Sequence, residues 1–277
     1  MSQSTQSIKN SLLLEKKKKD RLKLQLLAVS AISFVLFLII WQAAVVWEWV
    51  NPRYVCAPTK VFETFIEKLS TPQPDGSVLG VHIWASLKLA LYGFGLAILV
   101  GVPLGLCMGY FKTFDGLVNP IFEIIRPIPP IAWIPLVTMW LGIGMKAKGF
   151  IIFLSAVIPC VINSYTGVKL TKPVLINVAK TCGASKWTVF TTVCIPAAMP
   201  MVFVGIRVSI GNAWTTLVGA ELLAATSGLG YMIQMGRTLV RPDIIMVGMV
   251  TIGAIGAVLY GLLGLIEKKV MKWRTRQ

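Results

Sequence analysis

Charge is scarce in this sequence. Only 14% of its 277 residues are Asp, Glu, Lys or Arg, while 56% are hydrophobic and the mean hydropathy is +0.75. Soluble domains carry about a quarter charged residues and seldom exceed half apolar, so composition argues against both a soluble fold and a disordered chain. Histidine is nearly missing, with His82 alone. The five cysteines (Cys56, Cys107, Cys160, Cys182 and Cys194) form no CxxC pair, which leaves zinc, haem and dithiol redox chemistry without a ligand set. They read as apolar or incidental thiols, with Cys56 the one expected in an exposed outer segment. There is no GxxxxGK[ST], no HExxH and no nucleophile elbow. If such a chain does energy-dependent work, the energy enters through a partner. Acidic residues are few as well, 11 against 27 Lys and Arg, for a net charge of +16. The basic residues stand in short blocks beside long apolar runs, which is a membrane-topology pattern rather than a nucleic-acid footprint.

What the sequence has in plenty is uninterrupted apolar length. A bilayer core of about 30 Å takes about 20 residues of helix. Stretches free of charge at 24–47, 89–111, 127–145, 149–168, 187–206 and 244–266 predict six transmembrane helices, roughly 25–48, 83–110, 118–142, 149–168, 197–222 and 244–266. The fold class expected is thus an all-α membrane protein with a basic tail over 1–24, a first span over 25–48, an outer segment over 49–82, a five-helix core over 83–266 and a second basic tail over 267–277. An even number of spans puts both termini on one side. That side carries 17 Lys and Arg against 7 on the other, so it is expected to be cytoplasmic. The first apolar run is too long for a cleaved signal sequence and reads as a retained helix.

The segment 49–82 is expected to hold an interfacial amphipathic helix, capped by Thr59, with an apolar face of Val61, Phe62, Phe65, Ile66 and Leu69. The third span contains Pro127, Pro129, Pro130 and Pro135, tolerable at membrane depth only where backbone is buried in protein or faces a cavity. Arg126 and Glu123 stand three apart and can pair. They are either interfacial anchors or, with Pro129, Pro130 and Trp133, part of a kinked pathway-lining helix. The fifth span carries Arg207, Ser209, Asn212, Trp214, Thr215, Thr216 and Glu221; polar and ionisable groups there usually face a bundle interior or an aqueous path. Arg207 can equally snorkel, and Glu221 can sit at the interface. Gly205, Gly211 and Gly219 suit close helix packing. The run from Thr226 to Gly230 is a Gly-rich loop able to re-enter the outer face.

Residues 169–196 are polar enough to lie outside the membrane, yet Val174, Leu175, Val178 and Ala179 recur at helical spacing. A short exposed helix of this kind usually buries its apolar side in another chain. Gly183 permits a tight turn, and Pro196 can open the next span.

This stretch resembles the cytoplasmic loop of permease subunits of ABC importers, whose pattern is Glu-Ala-Ala, three residues, Gly, nine residues and Ile-x-Leu-Pro. Here Asn177, Val178 and Ala179 hold the first places, Gly183 follows at the same spacing, and Val193, Cys194, Ile195 and Pro196 close it. Asn177 and Val178 depart from Glu and Ala. The runs RPIPPIAWIPLVTMWLGIG (126–144) and WTTLVGAELLAATSGLGYMI (214–233) resemble the nitrate, sulfonate and taurine branch, closest to its taurine subgroup.

The resemblance implies a type I importer permease fold in the inner membrane of a bacterium. Its partners would be a second copy of the chain, two cytoplasmic ATPases that bind ATP and Mg, an external binding protein and membrane lipid. The chain itself would bind no cofactor or metal, catalyse nothing and contact no nucleic acid. It also implies an ATPase-coupling helix near 174–187, with Val174, Leu175, Asn177, Val178, Ala179, Thr181, Gly183, Ala184, Ser185, Lys186 and Trp187 at the contact. The pathway candidates are Arg126, Pro129, Pro130, Trp133, Arg207, Ser209, Asn212, Trp214, Thr215 and Glu221. The cargo expected is a small organic anion, taurine or another alkanesulfonate. Similar permeases carry nitrate, bicarbonate, aromatic carboxylates or pyrimidine vitamin precursors. A polytopic membrane enzyme is the alternative class, and it would need a cluster of catalytic His, Asp or Glu.

Overall fold

The computed structural model describes residues 2–51, 53–224 and 226–270, and among them there is no strand. The chain divides into two compact units, one up to Thr64 and one from Phe65 onward. In the first unit, helix α1 runs Ser2–Val46, and its stretch Leu24–Val46 is long and apolar enough to cross a bilayer. The expected boundary between a tail at 1–24 and a span at 25–48 is therefore no break in the helix. The early residues are rich in Lys, Leu and Gln, good helix formers. Helix α2, Pro58–Ser70, starts on a proline that needs no hydrogen-bond partner for its nitrogen. Thr59 is thus inside the first turn rather than capping it, and its N–H and hydroxyl both meet Gln42 Oε1 at 3.4 Å. The amphipathic face also differs from expectation. Val61, Thr64 and Lys68 are buried, while Phe62, Ile66 and Leu69 are exposed.

The second unit continues with α3 (Leu79–Tyr110), α4 (Lys112–Ile125), a 3-10 turn (Pro130–Trp133), α5 (Ile134–Leu141) and α6 (Met145–Lys169). Then come α7 (Pro173–Thr181), α8 (Lys186–Val189), a π turn (Phe190–Cys194), α9 (Ile195–Ala224), α10 (Leu229–Thr238) and α11 (Pro242–Val270). Leu79–Tyr110, Met145–Lys169, Lys186–Leu222 and Pro242–Glu267 are each long and apolar enough to span.

The expected third span over 118–142 is not one kinked helix. Lys112–Ile125 and Pro130–Leu141 are separate pieces bent by 86°. The prolines at 127, 129 and 130 each remove an N–H and disfavour helix in the residue before them, so α4 stops at Ile125. The fifth span begins earlier than 197, because helix is continuous from Lys186. Pro196 has no N–H to offer the preceding turn, and the wide π turn just before it accommodates that loss. α6 likewise begins at Met145 rather than 149, taking Lys146 and Lys148 into its first turn. From residue 271 on, the basic tail expected at 267–277 lies outside the described residues. Cys56, expected in an exposed outer segment, is buried, and Cys182 is exposed.

Helix α6 lies between α3 and α9. A ridge of small residues, Gly93, Ala97, Gly101, Gly105 and Gly109, recurs every fourth position on α3 and is buried. A Cβ on Gly101 would stand 2.8 Å from Cys160 Cβ, and one on Gly109 2.7 Å from Val168 Cβ. On α9, a Cβ on Gly205 would stand 2.9 Å from the Pro159 carbonyl, whereas Gly211 faces open space. In an apolar solvent such close packing, not the hydrophobic effect, holds helices together. The contacts also fix which ends meet. Gly93 lies beside Gly149, so the middle of α3 meets the start of α6; Gly109 lies beside Val168, so the end of α3 meets the end of α6.

Candidate functional site

At the Tyr110 end, α7 and the turn after it join the end of α6 to the long apolar helix that starts at Lys186. Pro173 occupies the first turn of α7 and Gly183 ends the helix at φ +81°, with the Ala184 N–H donating to the Ala179 carbonyl at 3.0 Å. A side chain on Gly183 would meet nothing within 4 Å, so the backbone angle alone selects glycine. Ser185 caps α8 by accepting from Thr188 N–H at 3.1 Å. Ile176, Ala179 and Ala184 pack inward on a core of Leu106, Val168, Val189, Phe190 and Cys194.

The other side of the segment is bare. Val174, Leu175, Val178 and Trp187 are 69, 49, 56 and 63% exposed. Asn177, Thr181, Gly183, Ser185 and Lys186 are exposed too. Of the expected coupling residues, only Ala179 and Ala184 are partly covered by the chain itself. The base of the segment is firm. Tyr110 Oη donates to the Lys186 carbonyl at 2.9 Å, and Tyr110, Phe111, Trp187 and Phe190 form an aromatic cluster with centroids 4.9–6.5 Å apart.

The pathway candidates separate into two groups. Ser209 donates to the Ala156 carbonyl at 2.6 Å, and Trp214 Nε1 donates to the Ile252 carbonyl at 3.0 Å; both are buried between helices. Arg207 is bonded to Glu267 and lies over the Tyr260 ring at 5.2 Å, so its charge is compensated within the chain. Asn212 and Thr215, by contrast, are exposed on the face of α9 that also shows Val204 and Val208. Gly219 on α9 approaches Ile131, which brings α9 to the broken segment holding Pro129, Pro130 and Trp133. Pro129 is exposed and Trp133 half-buried. Arg126 and Glu123 do pair, at 3.3 Å, but both are about half exposed, so the pair contributes little.

Glu221 is the centre of a buried network that the sequence reading did not assemble. It is 2% exposed. Ser86 Oγ lies 2.7 and 2.8 Å from its two oxygens, and the Gly230 N–H donates to Oε2 at 2.9 Å. Ser86 Oγ accepts in turn from the Leu229 N–H at 2.8 Å. One turn earlier on α3, His82 Nδ1 accepts from the Gly228 N–H at 3.1 Å, which places the ring proton on Nε2. Nε2 faces Asp75 Oδ2 at 3.2 Å, and Asp75 Oδ1 takes Lys68 Nζ at 2.5 Å. Lys68 also donates to the carbonyls of Gln73 and Ser77. The Gly-rich run thus folds back against α3 and starts α10. The signal was present: His82 and Ser86 lie four apart on a mostly apolar helix. Nearby, Asp243 binds Arg241 through Nε and Nη2, and those bonds raise the already high guanidinium pKa.

Residues 97–272 match the family of binding-protein-dependent transport system inner membrane components. Over 244 residues the chain is 33% identical to the taurine transport system permease protein TauC of Escherichia coli (strain K12), covering 87% of this chain and 88% of that one. It is 30% identical over 245 residues to the nitrate import permease protein NrtB of a Synechocystis species, covering 87% and 88%. It is 30% identical over 236 residues to the putative aliphatic sulfonates transport permease protein SsuC of Bacillus subtilis (strain 168), covering 85% and 84%. The fold superposes on a crystal structure of an amino acid ABC transporter with a TM-score of 0.54 at 16% identity, covering 76% of this chain and 96% of that one.

Proposed function

The chain belongs to the binding-protein-dependent transport system inner membrane components, and from that premise we propose that it passes a small organic anion, taurine or another alkanesulfonate, across the membrane. It is a multi-pass permease subunit of an ABC importer of the nitrate, sulfonate and taurine family, and not an enzyme. Permeases of this kind work with ATPase and binding-protein partners.

The single observation that carries the coupling reading is the bare apolar side of α7 on a firmly held base. Val174, Leu175, Val178 and Trp187 have no use for exposure in this chain, and a partner's cleft would bury them. The Lys-rich end of the molecule then faces the cytoplasm with both termini, in keeping with the positive-inside bias. Each of two copies docks one ATPase, which binds ATP and Mg. Closure of the ATPase pair moves α7 and α8, and the unbroken helix from Lys186 carries that displacement into α9. The open face of α9 with Asn212 and Thr215, beside Pro129 and Trp133, forms this subunit's side of the pathway and alternates between two accesses.

Selection of taurine rests on the likeness to the taurine permease. The test is ATP hydrolysis by the purified permease–ATPase complex in lipid, with its binding protein, titrated with taurine. Stimulation that needs both binding protein and taurine is the expected result. Stimulation by nitrate, bicarbonate, an aromatic carboxylate or a pyrimidine precursor instead replaces the cargo and keeps the mechanism. No associated ATPase overturns the coupling reading.

A further inference from the structure

Beside the coupling segment lies a groove of about 850 Å³ that coupling does not explain. It opens where three apolar helices end, at Tyr110, Lys169 and Lys186, and so at the level where hydrocarbon gives way to headgroups. Its walls are apolar, from Phe111, Phe114, Leu117 and Ile176. Its rim carries four amines, Lys112, Lys169, Lys180 and Lys186. Lys169 is engaged, 3.8 Å from Asp115 and 5.0 Å above the Tyr165 ring. Lys112, Lys180 and Lys186 have no carboxylate partner among the described residues. Thr171 also lines the groove. It is 5% exposed, and its hydroxyl has no hydrogen-bond partner among the described residues. A buried hydroxyl without a partner carries a desolvation cost that a ligand oxygen would remove.

An occupant that suits all three features has negative charge at the rim, an oxygen for Thr171 and a hydrocarbon part for the walls. A small water-soluble anion leaves the walls unused, and a neutral lipid leaves the amines unused. We propose that this groove binds an anionic phospholipid. Its phosphate lies among Lys112, Lys180, Lys186 and Thr171, and its acyl chains run along Phe111, Leu117 and Ile176. Basic pockets between helix ends on the cytoplasmic side are suited to such headgroups, each lysine near the surface adding severalfold to affinity. Lys186 is shared with the coupling contact, so the test variants are placed at Lys112, Lys180 and Thr171, and lipid retention is measured without ATP.

The test is native mass spectrometry of the purified permease–ATPase complex, delipidated and then titrated with phosphatidylglycerol or phosphatidylcholine. Phosphatidylglycerol should be retained and phosphatidylcholine should not. The double variant K112Q/K180Q should weaken phosphatidylglycerol retention roughly thirtyfold. Thr171→Val, which keeps shape and removes only the hydroxyl, should weaken it about fivefold without lowering the melting temperature. Inorganic phosphate should not displace the lipid at millimolar concentration. Equal retention of both lipids overturns the proposal, as does unchanged retention in both variants. Displacement by inorganic phosphate would make this an anion site rather than a lipid site, and would also overturn it.

Discussion

The two ends of the helical core treat polarity in opposite ways. At the Leu79 end of α3, five polar side chains (Lys68, Asp75, His82, Ser86 and Glu221) are withdrawn from solvent and bonded to one another or to backbone. At the Tyr110 end, four large apolar side chains are held out into solvent. Each inversion of the usual rule has a different reason. The buried set supplies partners for backbone N–H groups of Gly228, Leu229 and Gly230, which begin α10 and would otherwise be unsatisfied. Its bonds run within the chain. The exposed set is incomplete without a partner. One end is built for permanence and the other for engagement.

The comparison breaks most sharply at Asp75. Asp75→Ala leaves Lys68 2% exposed with only carbonyl oxygens around its charge. Removing one member of a buried ion pair costs about 3–5 kcal/mol. Thermal unfolding in detergent should show it as a large fall in melting temperature. The double variant Lys68→Met/Asp75→Leu should recover part of the loss, because no charge then stays buried alone. An equal loss in the double variant would show that the pair's charges are not what matters. Glu221→Gln is a smaller break. An amide oxygen in the place of Oε2 still accepts from both the Ser86 hydroxyl and the Gly230 N–H, so the loss is confined to weaker, uncharged bonds, about 1 kcal/mol. The melting temperature should fall while ATPase association persists, since the change lies at the far end from α7.

Gly183→Ala tests the other end. The site has room, so the cost is only that of holding alanine at φ +81°, about 1–2 kcal/mol. If α7 relaxes to avoid the strain, ATPase stimulation should fall further than stability does. A fall in stability alone would mean that the turn matters for folding and not for docking.

How much of this was legible in the sequence depends on how local the physics is. Apolar run length located the five helices that are each long enough to cross a bilayer, because crossing is a matter of length and composition. The exact breaks needed more. The prolines after Arg126 announced a disturbance, but a kink and an 86° turn look alike in sequence. Pro196 looked like a helix start, and only the preceding π turn reveals that helix already exists there. The short helix Pro173–Thr181 and its closing turn were legible because Gly183 and the apolar spacing are local. Lys68 and Asp75 were not, since their roles depend on His82, and that of Ser86 depends on Glu221, 135 positions away. Arg207 drew attention as an unpaired charge in a span; its partner Glu267 is 60 positions on.

The smallest effect on stability should carry the most information about the exposed end. Val174→Ser/Val178→Ser removes apolar atoms that are 69 and 56% exposed and touch no core cluster. Surface changes of this kind move stability by no more than about 0.5 kcal/mol. If those residues were merely exposed, nothing else would change either. If they seat in an ATPase cleft, burial on docking is lost, and each side chain fully transferred to water forfeits about 1.5–3 kcal/mol of association. Two such losses weaken docking by more than tenfold. Co-purification of the ATPase and binding-protein-stimulated hydrolysis should both drop while the melting temperature stays put. Intact association in this variant would leave the apolar side of α7 without a function, and the contrast between the two ends would then be one of accident rather than of design.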